Sequence, residues 1–161
     1  MAYVEVDIGR QHLSLFMAPG ARCIWETDIA TAKNGMGEAQ GSYKTPRGWH
    51  VIRAKIGQGA IRNAVFVGRR PTGEVYSEAL RRIYPERDWI LTRILWLSGL
   101  ELGKNRLGNV DTMRRYIYIH GAPDEDAMGV PSSHGCVKMR SDDLLYLFDR
   151  VDVGTRVHLI A

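Results

Sequence analysis

Short runs of alternating apolar and polar residues recur along this chain, and only one stretch carries a long helical stripe. Val4, Val6 and Ile8 alternate with Glu5 and Asp7, the period of a strand with one buried face. Gly9-Arg10 follows, and His12 to Met17 reads as the hairpin partner, with Leu13 and Leu15 on one side. After the Pro19-Gly20 turn, Ala21 to Ala30 alternates again, with Cys23 and Trp25 on one face and Ile24 on the other. Cys23 reads as a small buried hydrophobe. Trp49 to Lys55, Ala64 to Val67 and Ile90 to Leu97 are further strand candidates. Arg115 to Ile119, β-branched and aromatic, is a strand that ends at His120. Lys33 to Arg47 holds three glycines and closes on Thr45-Pro46-Arg47-Gly48, which predicts a mobile loop. Thr31 to Gly41 and Tyr43 are candidates to line a cleft.

The helical stripe runs from Ser141 to Val151. Ser141 is the expected N-cap, Asp142 and Asp143 suit the positive end of the dipole, and Leu144, Leu145, Leu147, Phe148 and Val151 form an apolar face. Glu78 to Tyr84 predicts a shorter helix stopped by Pro85. Gly154 and a last strand, Arg156 to Ile160, close the chain. The pattern predicts a mainly β, sandwich- or barrel-like fold, one domain over residues 1–161. At 161 residues the chain can bury roughly 68–70% of its unfolded surface and needs no covalent staples.

Composition excludes several classes. Two cysteines, Cys23 and Cys136, are too few for a disulfide framework or a four-cysteine zinc cage. Twenty-two Lys+Arg against 18 Asp+Glu give +4, mildly basic and no footprint for nucleic acid. No apolar run approaches the roughly 18 residues of a membrane span. Acids interrupt the first apolar residues, so a secretory leader is not expected and a cytoplasmic location is; removal of a leader would make it periplasmic. No GxxxxGK[ST] pattern or other cofactor motif is present, so no cofactor is expected.

The chemistry concentrates in Ile119-His120-Gly121, twelve residues, then Ser133-His134-Gly135-Cys136-Val137-Lys138-Met139-Arg140. A strand presents a histidine, and a Gly/Pro/Ser-rich loop returns with a cysteine just before a helix. A cysteine attacks carbonyls as thiolate, and an imidazole or a helix N-terminus lowers its pKa; both devices are expected here. His120 can take the thiol proton, and the Gly135 and Cys136 N–H groups can form an oxyanion hole. His120, His134 and Cys136 are also three potential zinc ligands, but no CxxC or HExxH signature accompanies them. His12, His50 and His158 lie in strand-like stretches and read as structural. Asp124 and Asp126 read as a solvated loop pair.

His120-Gly121 followed by Ser133-His134-Gly135-Cys136 and a hydrophobic residue resembles the signature of the L,D-transpeptidase catalytic domain, the YkuD-type fold. The opening strand pair, Thr45-Pro46-x-Gly48, Asp142-Asp143-Leu144 and Gly154-Thr155-x-Val157 extend the likeness to both ends of the chain. Gly57 to Thr112 is unmatched and is expected to hold loops that shape a substrate cleft. The resemblance implies a cysteine acyl-enzyme acting on peptidoglycan stem peptides, with Cys136 as nucleophile, His120 as base and the Gly121 carbonyl orienting the imidazole. It implies an oxyanion or substrate-binding role for Ser133, His134, Gly135, Lys138 and Arg140, and acylation by carbapenem-type β-lactams. Lys138 stands where the family often has Arg or Asn, so the charge is kept and the bidentate fork lost. Ala122 replaces a common threonine. A sortase-type enzyme shares the order His, Cys, basic residue, but with a far longer separation than these sixteen residues. With no exporting segment expected, the favoured activity is an L,D-carboxypeptidase that removes D-Ala from recycled muropeptides. A periplasmic transpeptidase forming 3-3 cross-links is one alternative, and a non-catalytic or zinc-binding domain is the other. Oligomeric state is not legible.

Overall fold

β1 (Tyr3–Asp7) and β2 (His12–Phe16) form the expected hairpin, their inward positions buried and their outward ones half-exposed. The computed structural model describes all 161 residues. β2 continues into β3 (Cys23–Asp28), which keeps its alternation at the edge of the sheet. Cys23 is half-buried there and not a core residue, since an edge strand lacks a neighbour to cover it. On its other side β1 lies parallel to β10 (Arg156–Ile160), which pairs antiparallel with β4 (Gly48–Ile56).

β7 (Ile90–Gly99) organises the rest. One of its edges carries β4 along residues 94–99 and β5 (Ala64–Val67) along residues 90–91. Its opposite edge carries β8 (Tyr118–Ala122), and β8 in turn pairs in parallel with β9 (Val137–Arg140). The result is a curled ten-stranded sheet, mainly β as expected. No helix is long and apolar enough to cross a membrane.

Two strands were invisible to the periodicity. β6 (Arg70–Val75) returns from β5 through Gly68-Arg69, both at positive φ (56° and 65°), a turn of type I′ sign without the Asn-Gly that usually announces it. It is exposed on both faces, so it has no alternation to read. β9 has only four residues and lies between Cys136 and the helix. β8 also starts later than expected: Tyr116 is left-handed (φ 56°), so Arg115 and Tyr116 form a turn and His120 sits mid-strand.

α1 (Glu78–Ile83) is capped by Ser77 Oγ, which accepts the Leu80 N–H at 3.1 Å. α2 (Ser141–Phe148) is shorter than its apolar stripe, and Ser141 is its first helical residue, not its N-cap. The Ser141 hydroxyl turns instead to Thr92 Oγ1 at 2.6 Å, a tie to β7. Lys55 Nζ donates at 2.6 Å to the carbonyl of Phe148, the last residue of α2, and at 2.7 Å to that of Val151 just beyond it.

Leu144, Leu147, Phe148 and Val151 pack in one cluster with Val4, Val6, Leu13 and Leu15, and with Ile119, Val137 and Met139 of the central strands. Each such side chain contributes about 1.5–3 kcal/mol on burial. α2 lies across β7, β8 and β9, so the two strands that carry the chemical motif are clamped by the core. His12 lies between Glu26 and Asp28, His158 stacks on Trp49 at 4.0 Å, and His50 is enclosed against Thr112 and the Gly48 carbonyl. None of the three lines the cleft that holds His120 and Cys136.

Candidate active site

β8 and β9 run in parallel register, His120 beside Lys138, which places Cys136 level with Tyr118. His120 and Cys136 line one cleft of about 430 Å³, together with Arg69, Asp88, Arg115 and His134. His120 is buried, and its Nδ1 lies 2.8 Å from the Gly121 carbonyl oxygen. A carbonyl only accepts, so Nδ1 carries the proton and Nε2 is the free base. Gly121 itself cannot be larger: a Cβ there would meet the Leu91 carbonyl oxygen at 2.5 Å and Ser141 Oγ at 2.9 Å.

The Tyr118 N–H donates to Cys136 Sγ at 3.3 Å, and the thiol faces the Tyr116 carbonyl at 3.5 Å. Burial pushes the thiol up to about 12, with Asp88 acting in the same sense; the Tyr118 N–H and Arg115 oppose it. Burial likewise holds His120 below its ordinary value, assisted by Lys138, against Asp88 and the Gly121 carbonyl. Desolvation thus favours the uncharged form of both groups. The expected thiol-lowering devices do not prevail, because desolvation outweighs them and α2 begins only after β9. A neutral thiol and a neutral imidazole in one cleft are the starting state that general-base catalysis requires.

The turn before Cys136 is built for a fixed shape. Gly135 adopts φ 134°, open to glycine alone. Ser133 Oγ donates to the Cys136 carbonyl at 2.5 Å and accepts the Gly135 N–H at 3.2 Å. That bond commits the Gly135 N–H to the turn, leaving the Cys136 N–H as the remaining donor of the expected oxyanion pair. Thr45 Oγ1 donates to the Gly135 carbonyl at 3.0 Å and accepts the Ala32 N–H at 2.9 Å. Thus the Thr45-Pro46 turn holds the cysteine loop, and Lys33 to Arg47 is stitched to the site rather than free.

Other expected residues fall elsewhere. His134 is exposed at the cleft mouth, its ring 3.9 Å from Asp88 and edge-on to Tyr43 at 6.2 Å. Lys138 is buried and directed to Asp126 at 3.5 Å, beside a neighbouring cavity of about 210 Å³. Arg140 is exposed at the end of β9 and is not part of the cleft wall. Alternation in β9 sends Val137 and Met139 to the core and leaves Lys138 and Arg140 on the face that also carries His120. Lys138 is drawn off to Asp126, and Arg140 lies past the cleft at the end of the strand. Asp126 is no solvated acid, since it pairs with Arg81 at 2.7 Å as well as Lys138. Asp124 pairs with Arg62 at 2.9 Å. No group of three His, Cys, Asp or Glu side chains is gathered to hold a metal, so the zinc alternative lacks its ligand set.

Three cleft residues carried no sequence signal. Arg69 sits on the β5–β6 turn and Asp88 just before β7, so the unmatched stretch does shape the cleft. Arg115 is half-buried beneath the loop, donating to the carbonyls of Gly37 (3.3 Å), Glu38 (3.2 Å) and Lys44 (2.5 Å) and to Ser42 Oγ (3.3 Å). Burial lowers its pKa. Each comes from a separate segment, and only the curl of the sheet brings them together.

Comparison with known proteins agrees with this geometry. A stretch of 46 residues is 48% identical to a protein described as a probable L,D-transpeptidase, ErfK/SrfK of Salmonella typhimurium, covering 29% of this chain and 15% of that one. The fold superposes on the Enterococcus faecium L,D-transpeptidase with a TM-score of 0.58 at 18% identity, over 99% of this chain and 49% of the other. It also superposes on L,D-transpeptidase 3 from Mycobacterium tuberculosis, solved with a faropenem-derived adduct, at a TM-score of 0.57 and 17% identity, over 99% and 60% of the two chains. This chain thus spans about half the length of these solved relatives. The family model for the L,D-transpeptidase catalytic domain, YkuD, matches residues 1–159, and the chain belongs to that family.

Proposed function

We propose that this protein is a cysteine acyl-transfer enzyme acting on peptidoglycan stem peptides, with Cys136 as nucleophile and His120 as base. The observation that carries the reading is the shared cleft of Cys136 and a buried His120 whose Nδ1 is engaged by the Gly121 carbonyl. Cys136 attacks the carbonyl at the L-centre of diaminopimelate in a tetrapeptide stem, and the C–N bond to the terminal D-Ala breaks. Sγ gives its proton to His120 Nε2, which passes it to the leaving amine, and a thioester remains.

The favoured acceptor is water, which makes the net reaction an L,D-carboxypeptidase cleavage. Supporting this, His134 and Tyr43 stand exposed at the cleft mouth, which leaves it open to solvent. Incubation with a disaccharide-tetrapeptide, followed by mass spectrometry, tests both levels. Tripeptide and free D-Ala are expected from the native protein, and no turnover from Cys136→Ala. Cross-linked dimers would instead identify an amine acceptor, and unchanged turnover in Cys136→Ala would remove the nucleophile. A carbapenem should add its mass to the native protein and not to Cys136→Ala.

A further inference from the structure

Among the cations of the cleft, one has hydrogen-bonding capacity to spare. Arg115 spends its guanidinium on the carbonyls of loop 37–44. Lys138, from the adjoining cavity, is held by Asp126. Arg69 differs. Its Nη1 donates at 3.0 Å to the neutral Tyr118 hydroxyl, and no carboxylate pairs with it. A guanidinium has five N–H donors in a planar fork, so an edge remains for a second, planar acceptor.

The mounting is rigid. The guanidinium lies over the Trp96 ring at 4.9 Å and the Tyr116 ring at 4.8 Å. Its backbone is fixed at the left-handed tip of the β5–β6 turn. Tyr118 also sets the distance to the chemistry. Its N–H touches Cys136 Sγ at 3.3 Å while its hydroxyl touches Arg69, so one tyrosine side chain separates thiol from guanidinium. In an extended peptide a residue spans about 3.5 Å. A carboxylate one residue beyond the attacked carbonyl comes toward Arg69 when the leaving end of the substrate runs along Tyr118.

We propose that Arg69 is a specificity residue that binds the free C-terminal carboxylate of the leaving residue. It restricts cleavage to stems that end one residue after the scissile bond. The assignment rests on the acyl-transfer reading above and adds to it which end of the substrate is recognised. Charge-assisted, fork-shaped binding of a carboxylate is what an unpaired, preorganised guanidinium provides.

Two tetrapeptide substrates test it, one with a free C-terminal carboxylate and one with a C-terminal carboxamide. The native protein is expected to cleave the acid with a kcat/KM about tenfold or more above that for the amide. Arg69→Gln should raise KM for the acid about tenfold and leave the amide unchanged, erasing the preference; Arg69→Lys should restore part of it. Alkylation of Cys136 by uncharged iodoacetamide should proceed at the native rate in both variants, which separates recognition from a disturbed site. An equal loss on both substrates, or a preference retained in Arg69→Gln, overturns the assignment. If the native protein cleaves neither peptide, the acyl-transfer reading itself fails and Arg69 loses its role with it.

Discussion

His120 Nδ1 and the Gly121 carbonyl oxygen, neighbours along β8, lie 2.8 Å apart. The bond sets the tautomer of a buried imidazole through the backbone alone. It depends on β8 approaching β7 so closely that residue 121 has no room for a side chain. Gly121→Ala places a methyl group 2.5 Å from the Leu91 carbonyl oxygen, so β8 must shift away. The expected cost is about 1–3 kcal/mol in urea unfolding, with activity lost from the remaining folded protein as the imidazole turns. Native stability in this variant would show that β8 is not held as described.

Burial of both partners predicts an unusual pH response. With the thiol pushed up to about 12, iodoacetamide should alkylate Cys136 at pH 7 more slowly than free cysteine, whose thiol titrates near ~8.5. Peptide turnover should persist into mildly acidic solution, since His120 is held below its ordinary value and keeps Nε2 unprotonated there. His120→Ala should cost about 10²–10⁴ in turnover. Fast alkylation at pH 5–6 would reveal a preformed thiolate–imidazolium pair and contradict the neutral resting state.

His50 predicts acid sensitivity of the fold. Its folded-state pKa is lowered from 6.5 to about 4, by burial foremost. The unfolded chain therefore binds a proton first, and stability present above pH 6.5 is lost as pH falls toward 4. The loss attributable to His50 reaches about 3 kcal/mol. Urea midpoints measured from pH 7 to 4 should show this decline. His50→Gln should flatten it, leaving a smaller slope from His120 and His158, whose values are also lowered.

Arg115 predicts a local effect. Arg115→Ala removes the donors to Gly37, Glu38, Ser42 and Lys44, the loop that meets the cysteine turn at Thr45. Stability should fall by about 1–3 kcal/mol, with proteolytic nicking and amide exchange rising within residues 33–47. Arg115→Lys should rescue little, because one ammonium cannot span those acceptors. Unchanged exchange across the loop would show that other contacts hold it.

The legible parts of the fold were those where one face of an element meets the core and the other meets solvent. β1, β2, β10 and α2 meet that condition, and their period-two or helical patterns were readable. β6 does not, being exposed on both sides, and β9 is too short for a period to show. Lys138 lies on the same face as His120, yet Asp126 draws it into the neighbouring cavity, and a partner twelve residues away in a loop leaves no pattern in the sequence. Ser141 carried the chemistry of a cap, yet Thr92, forty-nine residues away, offered a better partner.

By itself the sequence singled out His120 and Cys136, because each sits in a local motif whose glycines serve the backbone within a residue or two. It also determined the mainly β class, through alternation that every strand with one buried face must show. Tertiary structure alone decided the state and the surroundings of that pair. Burial is a property of the folded whole, and it pushes the Cys136 thiol up where the local motif led one to expect it lowered. Arg69, Asp88 and Arg115 lie on three segments with no shared pattern, and they meet only because β7 carries β5 on one edge and β8 on the other.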